Sequence, residues 1–554
     1  MLLKAPEVAP DQMTQRVHNG LTLAAVLGLA INTRTLWAGI ALPYPGLAVV
    51  ITLGYGVMLV AAVMALCART TAALARLDVT VLVTAVVLRT IALWPAISGA
   101  RPLRVDEGML MDRATRAVAA GQNPYVMSWP DIDPESVTRL MGGGAVAGFG
   151  YPPFGVQLGA LAQLVTGTFP GIVVVSALAL IATAVIAFRA APVPLRPLAT
   201  LGVLGTGLLT PYAENAYPSM IALPLLCLAV WHWPSIGRGG RLGRRGVLRA
   251  VAIGLAVSTH QLGWFLSLFL LAGLVLVRRG ELPWRGTVLV VGRYVAVAAG
   301  AALAVNLPYL IPDPAAWLHG VAEPVTQHAV PHGQGIMAVS YHLIAGSGAL
   351  DFYSHAAVAM LLGLLGLYVV NVTRLGPAAV VLPWLVFWVA MRSQDGYWVL
   401  TMPLWIVGLC TTNRRDFAKA YRIPWRIERM AFFVPAAVCL IVAMATPQPL
   451  SMLVFTEVVP GQEVRTLTVA VTNRSPRVLA PHFTVTTGAY LGQFWPVVTG
   501  PATLAPGRSA TYTLVPPPNR QGEPVWKPAV EQPALLRAVT DGPQTLSSVE
   551  LGGG

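Results

Sequence analysis

From Leu21 to Ala445 the chain alternates long apolar runs with short polar stretches. The runs are about 15 to 25 residues long, the length a helix needs to cross a bilayer core. Thirteen crossings are expected, at 21–42, 46–66, 78–98, 170–189, 197–211, 217–234, 248–259, 261–277, 286–310, 355–373, 376–391, 397–411 and 430–446. The run "PPFGVQLGALAQLVTG" (152–167) would upset the parity of these crossings, so it is expected to lie in or dip into the outer leaflet. After Pro447 the pattern changes to short alternations rich in Thr and Val, broken by "NRS", "TG" and "APGRS". Such signals predict strands and turns. About a hundred residues of this kind suit a small β-sandwich. The stretch from about Glu531 is expected to be a loose tail.

The expected fold is therefore an α-helical polytopic membrane protein, with about 13 transmembrane helices and a C-terminal extracytoplasmic β-sandwich. Residues 1–20 form a cytoplasmic N-terminus, 21–447 the membrane domain and 448–554 the sandwich with its tail. Composition agrees: 55% of residues are hydrophobic and only 11% charged, far fewer charges than an ordinary soluble domain carries. The net charge of +14 lies mostly in short loops and is no sign of nucleic-acid binding. The four cysteines are scattered, with no CxxC or zinc spacing, so neither a disulfide framework nor a structural metal is expected. The N-terminal segment lacks a cleavable signal pattern.

Charge also orients the chain. Arginine-rich short loops favour the cytoplasm, and "GRGGRLGRRGVLR" (237–249) and "TTNRRDFAKAYRIPWRIER" (411–429) are the clearest such loops. With these inside, the polar stretches "RVDEG", "YAENAYP", "THQ", 312–354 and "RSQDGY" all fall on the outer face. Candidate chemistry gathers on one side of the membrane.

Asp106-Glu107 opens a predicted helix that Gly121 should stop, followed by the turn "NPY". Asp106 is expected to cap that helix, to act as a general base towards an attacking hydroxyl, or both. Neighbouring side chains diverge, so one carboxylate of the pair is expected to face a reacting group.

An acidic pair after an early crossing, a surface helix ending in "GQNPY", and then "YPPFGVQL" together resemble the GT-C superfamily of membrane glycosyltransferases. These enzymes use polyprenyl-phosphate sugars, and the resemblance runs from about Asp106 to Leu409. It implies Asp106 as base with Glu107 as neighbour or substitute, Tyr151, Pro152 and Pro153 shaping the site floor, and Tyr125 among the donor- or acceptor-binding residues. Glu214 and Asn215 in "YAENAYP" would supply a second acidic or amide group. His260-Gln261 stands where related chains often carry Lys-Gln near the lipid phosphate. A histidine is fully charged only below a pKa of about 6.5.

Arg392 sits at the outer end of an apolar run, against the charge bias. Its planar fork suits a donor phosphate, and the competing expectation is an ion pair with Asp395 or contact with a lipid headgroup. Tyr397 follows on the same turn. His332 belongs to the set His319, His328, His332, His342 and His355 in or beside a loop expected to act as a lid. No cofactor is required. A divalent cation is left open, although the histidine spacings match no ligand pattern.

The expected partners are a polyprenyl-phosphate sugar donor, an envelope glycan, glycolipid or glycoprotein acceptor, and membrane lipid. The expected activity is hexosyl or pentosyl transfer. Two other classes compete with it. A transporter or flippase of a lipid-linked saccharide would favour internal repeats and mid-membrane charges, and a non-catalytic envelope-assembly protein would bind through the sandwich.

Overall fold

The computed structural model describes residues 10–132, 137–424, 429–459, 461–488, 491–518, 522–528 and 534–551. In chain order the main helices begin with α1 (Pro10–Thr33), α2 (Pro45–Cys67), α3 (Thr71–Ile97) and α4 (Asp106–Ala119). Next come α5 (Phe154–Thr166), α6 (Gly171–Ala190), α7 (Val193–Gly205) and α8 (Pro218–Val230). They are followed by α9 (Gly243–Val257), α10 (Leu262–Arg279), α11 (Trp284–Leu310), α12 (Pro314–Thr326) and α13 (Asp351–Val370). The last are α14 (Val372–Val380), α15 (Leu382–Val389), α16 (Gly396–Thr411) and α17 (Arg429–Ala445).

Each expected crossing coincides with a helix, but not each is long enough to span. Among the described residues six helices are, namely α2, α3, α6, α10, α11 and α13, and α14 with α15 makes a seventh if that pair, bent by 76°, is one span. Length and apolarity therefore support six or seven spans against the thirteen expected. Most of the shortfall lies in α7, α8, α16 and α17, none of which exceeds 17 residues.

Helix α2 shows how the pattern sorts lipid from protein. Ile51, Met58, Ala61 and Ala65 are buried, whereas Leu53, Leu59, Val60, Val63 and Leu66 are exposed. Spacings of three, four and seven put the first set on one helical face. The apolar face left exposed is what a bilayer would cover.

Polar groups inside the bundle are tied down. His18 on α1 meets Asp78 on α3 at 2.7 Å, and Thr22 donates to the other Asp78 oxygen at 2.8 Å. Arg89 donates to the carbonyls of Leu204 and Gly205 at 2.7 and 3.3 Å, where the chain widens into a π-helical turn. Such a turn frees carbonyls that need a donor.

The C-terminal region forms two packed sheets. One has four strands in the order β4 (Leu450–Val454), β5 (Leu467–Asn473), β9 (Ser509–Leu514), β8 (Val497–Thr499). The other has five, in the order β2 (Gly346–Ser347), β11 (Thr545–Leu551), β10 (Ala534–Thr540), β6 (His482–Thr486), β7 (Phe494–Trp495). Leu467, Val469, Phe483, Tyr512 and Leu536 fill the space between the sheets.

Two expectations change here. Residues 534–551 are no loose tail: "ALLRAVT" and "TLSSVEL" pair in register along seven positions, and β10 lies inside the sheet. The period-two alternation in these segments is short and interrupted by "DGPQ", which hid it. Glu531 itself lies outside the described residues. The sandwich also takes an edge strand, β2, from the membrane domain. Arg537 is buried over the Tyr341 ring at 3.6 Å, so the two regions share a core.

Segment 312–354, expected as a lid loop, is largely folded. It holds α12, the strand β1 (His332–Gly333), a π-helical turn at Val339–Leu343 and β2. Asp313 caps α12, accepting from the Ala316 N–H at 2.8 Å.

Candidate active site

The site is built where α3 ends and α4 begins. The Arg104 N–H donates to Asn215 Oδ1 at 3.0 Å, pinning the chain before it turns into α4. Val105 takes the extended conformation of an N-cap, and α4 starts at Asp106. A side chain at Gly108 would run into the Asn215 carbonyl, so glycine is what lets α4 seat there. Gly121, with φ at +74°, stops the helix region as expected.

Asp106 is therefore the first helical residue and not the cap. Its Oδ1 accepts from the Glu107 N–H at 2.9 Å and its Oδ2 from the Thr138 N–H at 2.7 Å. Both oxygens are occupied by backbone donors. This carboxylate organises the loop as much as it offers a base.

Glu107 points elsewhere. It keeps an accessible edge, but its surroundings push its carboxyl up to about 8, chiefly through burial and then through the Asp106 charge. Arg392 and a hydrogen bond from the Tyr151 hydroxyl pull in the opposite direction without prevailing. The Tyr151 hydroxyl is itself held well above its ordinary range by burial and by Glu107. It stays neutral and available as a donor.

Arg392 opens β3 (Arg392–Ser393), which pairs in parallel with β1 so that Arg392 lies beside His332. Its side chain makes a long contact among the described residues, from Nη2 to Thr138 Oγ1 at 3.5 Å, weak by geometry. Among the described residues no carboxylate lies within ion-pair distance of it. The competing Arg392–Asp395 pair does not form. Asp395 instead accepts from the Gly396 N–H at 2.7 Å and takes the Tyr212 hydroxyl. Burial and then Arg392 push the His332 imidazole down to about 4, leaving it neutral at working pH. Tyr397 lies within electrostatic reach of both Arg392 and Glu107.

His260 stacks on Tyr151 with ring centroids 5.6 Å apart. Its Nδ1 accepts from the Leu262 N–H at 3.0 Å, which assigns the ring proton to Nε2. Burial pushes the imidazole down to about 3, so it offers a neutral donor and no positive charge. Gln261 is buried and donates to the carbonyls of Gly150 and Val321, both at 2.9 Å. The Tyr125 hydroxyl donates to the Tyr151 carbonyl at 2.7 Å, and its ring packs on Phe149 and Tyr309. Both residues position the Tyr151 turn.

Asp106, Glu107, Tyr151, His332, Arg392 and Tyr397 thus form one constellation, with His260 against its edge. Glu214 does not join it, because its carboxylate is taken by Arg101. Asn215 serves as an anchor. Thr138 and Tyr212 were missed as contributors, and Asp395 was read only as a partner for Arg392. A backbone N–H such as that of Thr138 leaves no side-chain signature, whereas Tyr212 stood in view within "PYAENAYP". Among the described residues no group of three or more His, Cys, Asp or Glu is placed to hold a metal ion.

No protein-family model matches the chain, and no curated protein does. Crystal structures of ArnT from Cupriavidus metallidurans, bound to undecaprenyl phosphate and in the apo state, align with 59% of this chain and 59% of their own. Identity is 16% and 17%, and the TM-score is 0.32 for both. The chain thus spans under two thirds of that protein's length. A likeness of this size carries no argument about activity.

Proposed function

We propose that the protein is a membrane glycosyltransferase of the GT-C kind. It moves a hexosyl or pentosyl group from a polyprenyl-phosphate donor to a hydroxyl of an envelope glycan, lipid or protein on the extracytoplasmic face. One observation carries the reading: Arg392, which meets no carboxylate among the described residues, stands within electrostatic reach of the proton-binding Glu107. A cation suited to a phosphate and an acceptor for a hydroxyl proton meet in one place.

In this reading the acceptor hydroxyl gives its proton to Glu107 as its oxygen bonds to the anomeric carbon. The bond from that carbon to the phosphate oxygen breaks, and the electron pair leaves with the polyprenyl phosphate. Configuration inverts. Arg392 steadies the charge gathering on the leaving phosphate, with the neutral Nε2–H of His260 as a further donor. Asp106, whose oxygens accept backbone N–H groups, holds the helix start and keeps Glu107 basic by repulsion. This exchanges the parts that the sequence alone suggested for the two acids.

The test is transfer by the purified protein in lipid, offered radiolabelled polyprenyl-phosphate sugars and candidate glycan acceptors. Labelled product from at least one donor, lost in Glu107→Gln, is expected. Transfer only from nucleotide sugars would overturn the donor class. Sidedness is checked by impermeant cysteine labelling in intact cells, which should modify Ser509→Cys and spare Gly240→Cys.

A further inference from the structure

We propose that a second cleft, on the far side of α4 from Glu107, binds the phosphate of an anionic membrane lipid. At about 3.6 residues per turn, Met109, Asp112, Arg113 and Arg116 share one face of α4 and Glu107 lies on the opposite one. That face borders a cleft of about 570 Å³ between α4, the end of α3 and the start of α6. The donor site and this cleft are separated by the helix itself.

The lining has two chemistries. Arg101, Arg113 and Arg116 line it together with Asp112 and Asp131, and each of the three arginines is paired with one carboxylate. Each of these arginines is partly exposed and holds its carboxylate through a single nitrogen: Arg113 Nη2 to Asp131 at 2.6 Å, Arg116 Nη2 to Asp112 at 2.7 Å, and Arg101 Nη1 to Glu214. A guanidinium has five N–H donors, so a contact through one nitrogen leaves it capacity for phosphate oxygens. Leu103, Met109, Ile132, Pro170 and Val173 form an apolar part of the wall. A free inorganic anion has no use for that wall, whereas the glycerol and first acyl carbons of a lipid do.

A second observation places the cleft at headgroup level. Trp94, near the end of α3, packs edge-on against Tyr44 and Phe169, with centroids 6.5 and 6.0 Å apart. Aromatic clusters of this sort mark the boundary between hydrocarbon and water, and Pro170 of the cleft follows Phe169 directly. Arginines at this level attract anionic lipid. Burial pushes the Asp112 carboxyl up, which loosens its claim on Arg116.

The full-length protein in nonionic detergent provides the test, with thermal unfolding followed by tryptophan fluorescence. Dioctanoyl phosphatidylglycerol should raise the melting temperature in a saturable way, and dioctanoyl phosphatidylcholine and inorganic phosphate should not. The paired change Arg113→Gln with Arg116→Gln should weaken phosphatidylglycerol binding on the order of tenfold or more. Removing equal charge elsewhere, by Arg244→Gln with Arg245→Gln, should leave it unchanged. Asp131→Asn, which frees Arg113, should tighten it, and this variant serves if the double arginine change does not fold. Equal protection by phosphatidylcholine, undiminished binding without the two arginines, or weaker binding in Asp131→Asn would overturn the site. Protection by inorganic phosphate at the same concentrations would overturn its lipid character.

Discussion

Two enclosed acids lie towards opposite ends of α3, and they are treated differently. Asp78, near the start of that helix, has both oxygens satisfied, one by His18 and one by Thr22, and all three residues are buried. Glu107, just beyond the other end, has a raised proton affinity, a neutral phenol beside it and in range a guanidinium that meets no carboxylate among the described residues. Burial alone does not separate a structural acid from a reactive one. The difference is saturation: each Asp78 oxygen has a donor inside the bundle, whereas Arg392 meets no carboxylate among the described residues.

The largest effect should come from breaking the saturated pair. Asp78→Ala leaves His18 and Thr22 without their partner, and removing one member of a buried pair costs about 3–5 kcal/mol. Unfolding in detergent should show that loss, while turnover per folded molecule stays near wild type. Replacing both members, His18→Leu with Asp78→Leu, should recover most of the stability. A selective loss of turnover in Asp78→Ala would make Asp78 part of the chemistry and end the contrast.

Glu107→Gln should do the reverse. Turnover should fall about a hundredfold or more, the usual worth of a general base, with stability kept. Glu107 binds its proton more tightly in the folded protein, at about 8 against an ordinary 4.5. Its contribution to stability is therefore full below about 4.5 and is lost as pH rises through about 8. Activity follows the ionised form, so it should climb towards pH 8 and level off above it. Glu107→Gln should abolish both slopes. An Asp106→Asn variant that loses the pH limb, while Glu107→Gln retains it, would return the base to Asp106.

Arg392 comes next. Arg392→Ala should weaken donor binding about ten- to a hundredfold, the range of a charge-assisted hydrogen bond, and Arg392→Lys should restore only part. Asp395 bonds the Gly396 N–H and Tyr212 rather than Arg392. A double change with Asp395→Ala should therefore give no rescue. Rescue in that double-mutant cycle would reveal the ion pair and remove Arg392 from the donor site.

These contrasts explain what could be found from the sequence. The helices followed from apolar runs, and the first strands from alternation, because both are local. Asp106, Glu107 and Arg392 were visible as charges placed where apolar runs end. Their division of labour was not, since it depends on the Thr138 N–H, 32 residues from Asp106, and on a parallel pairing of 332–333 with 392–393. The neutral state of His260 was hidden too, because burial is a property of the packed loop. The sheet core at 534–551 was missed because its partner β6 lies some fifty residues earlier.

The smallest effect belongs to Glu214, an acid expected in the site and now paired with Arg101. Its partner's side chain is 42% exposed, so water competes for the contact and screens it. Exposed pairs of this kind are worth about 0–1 kcal/mol, which corresponds to at most about fivefold in any equilibrium. Glu214→Gln should accordingly leave turnover and donor affinity within that range, with the same pH limb as wild type. It also offers Arg101 to the cleft behind α4, so any change should appear as tighter phosphatidylglycerol binding. A loss of turnover comparable to that of Glu107→Gln would mean that an acid bound to arginine can still serve the reaction. Saturation would then no longer distinguish the two kinds of site.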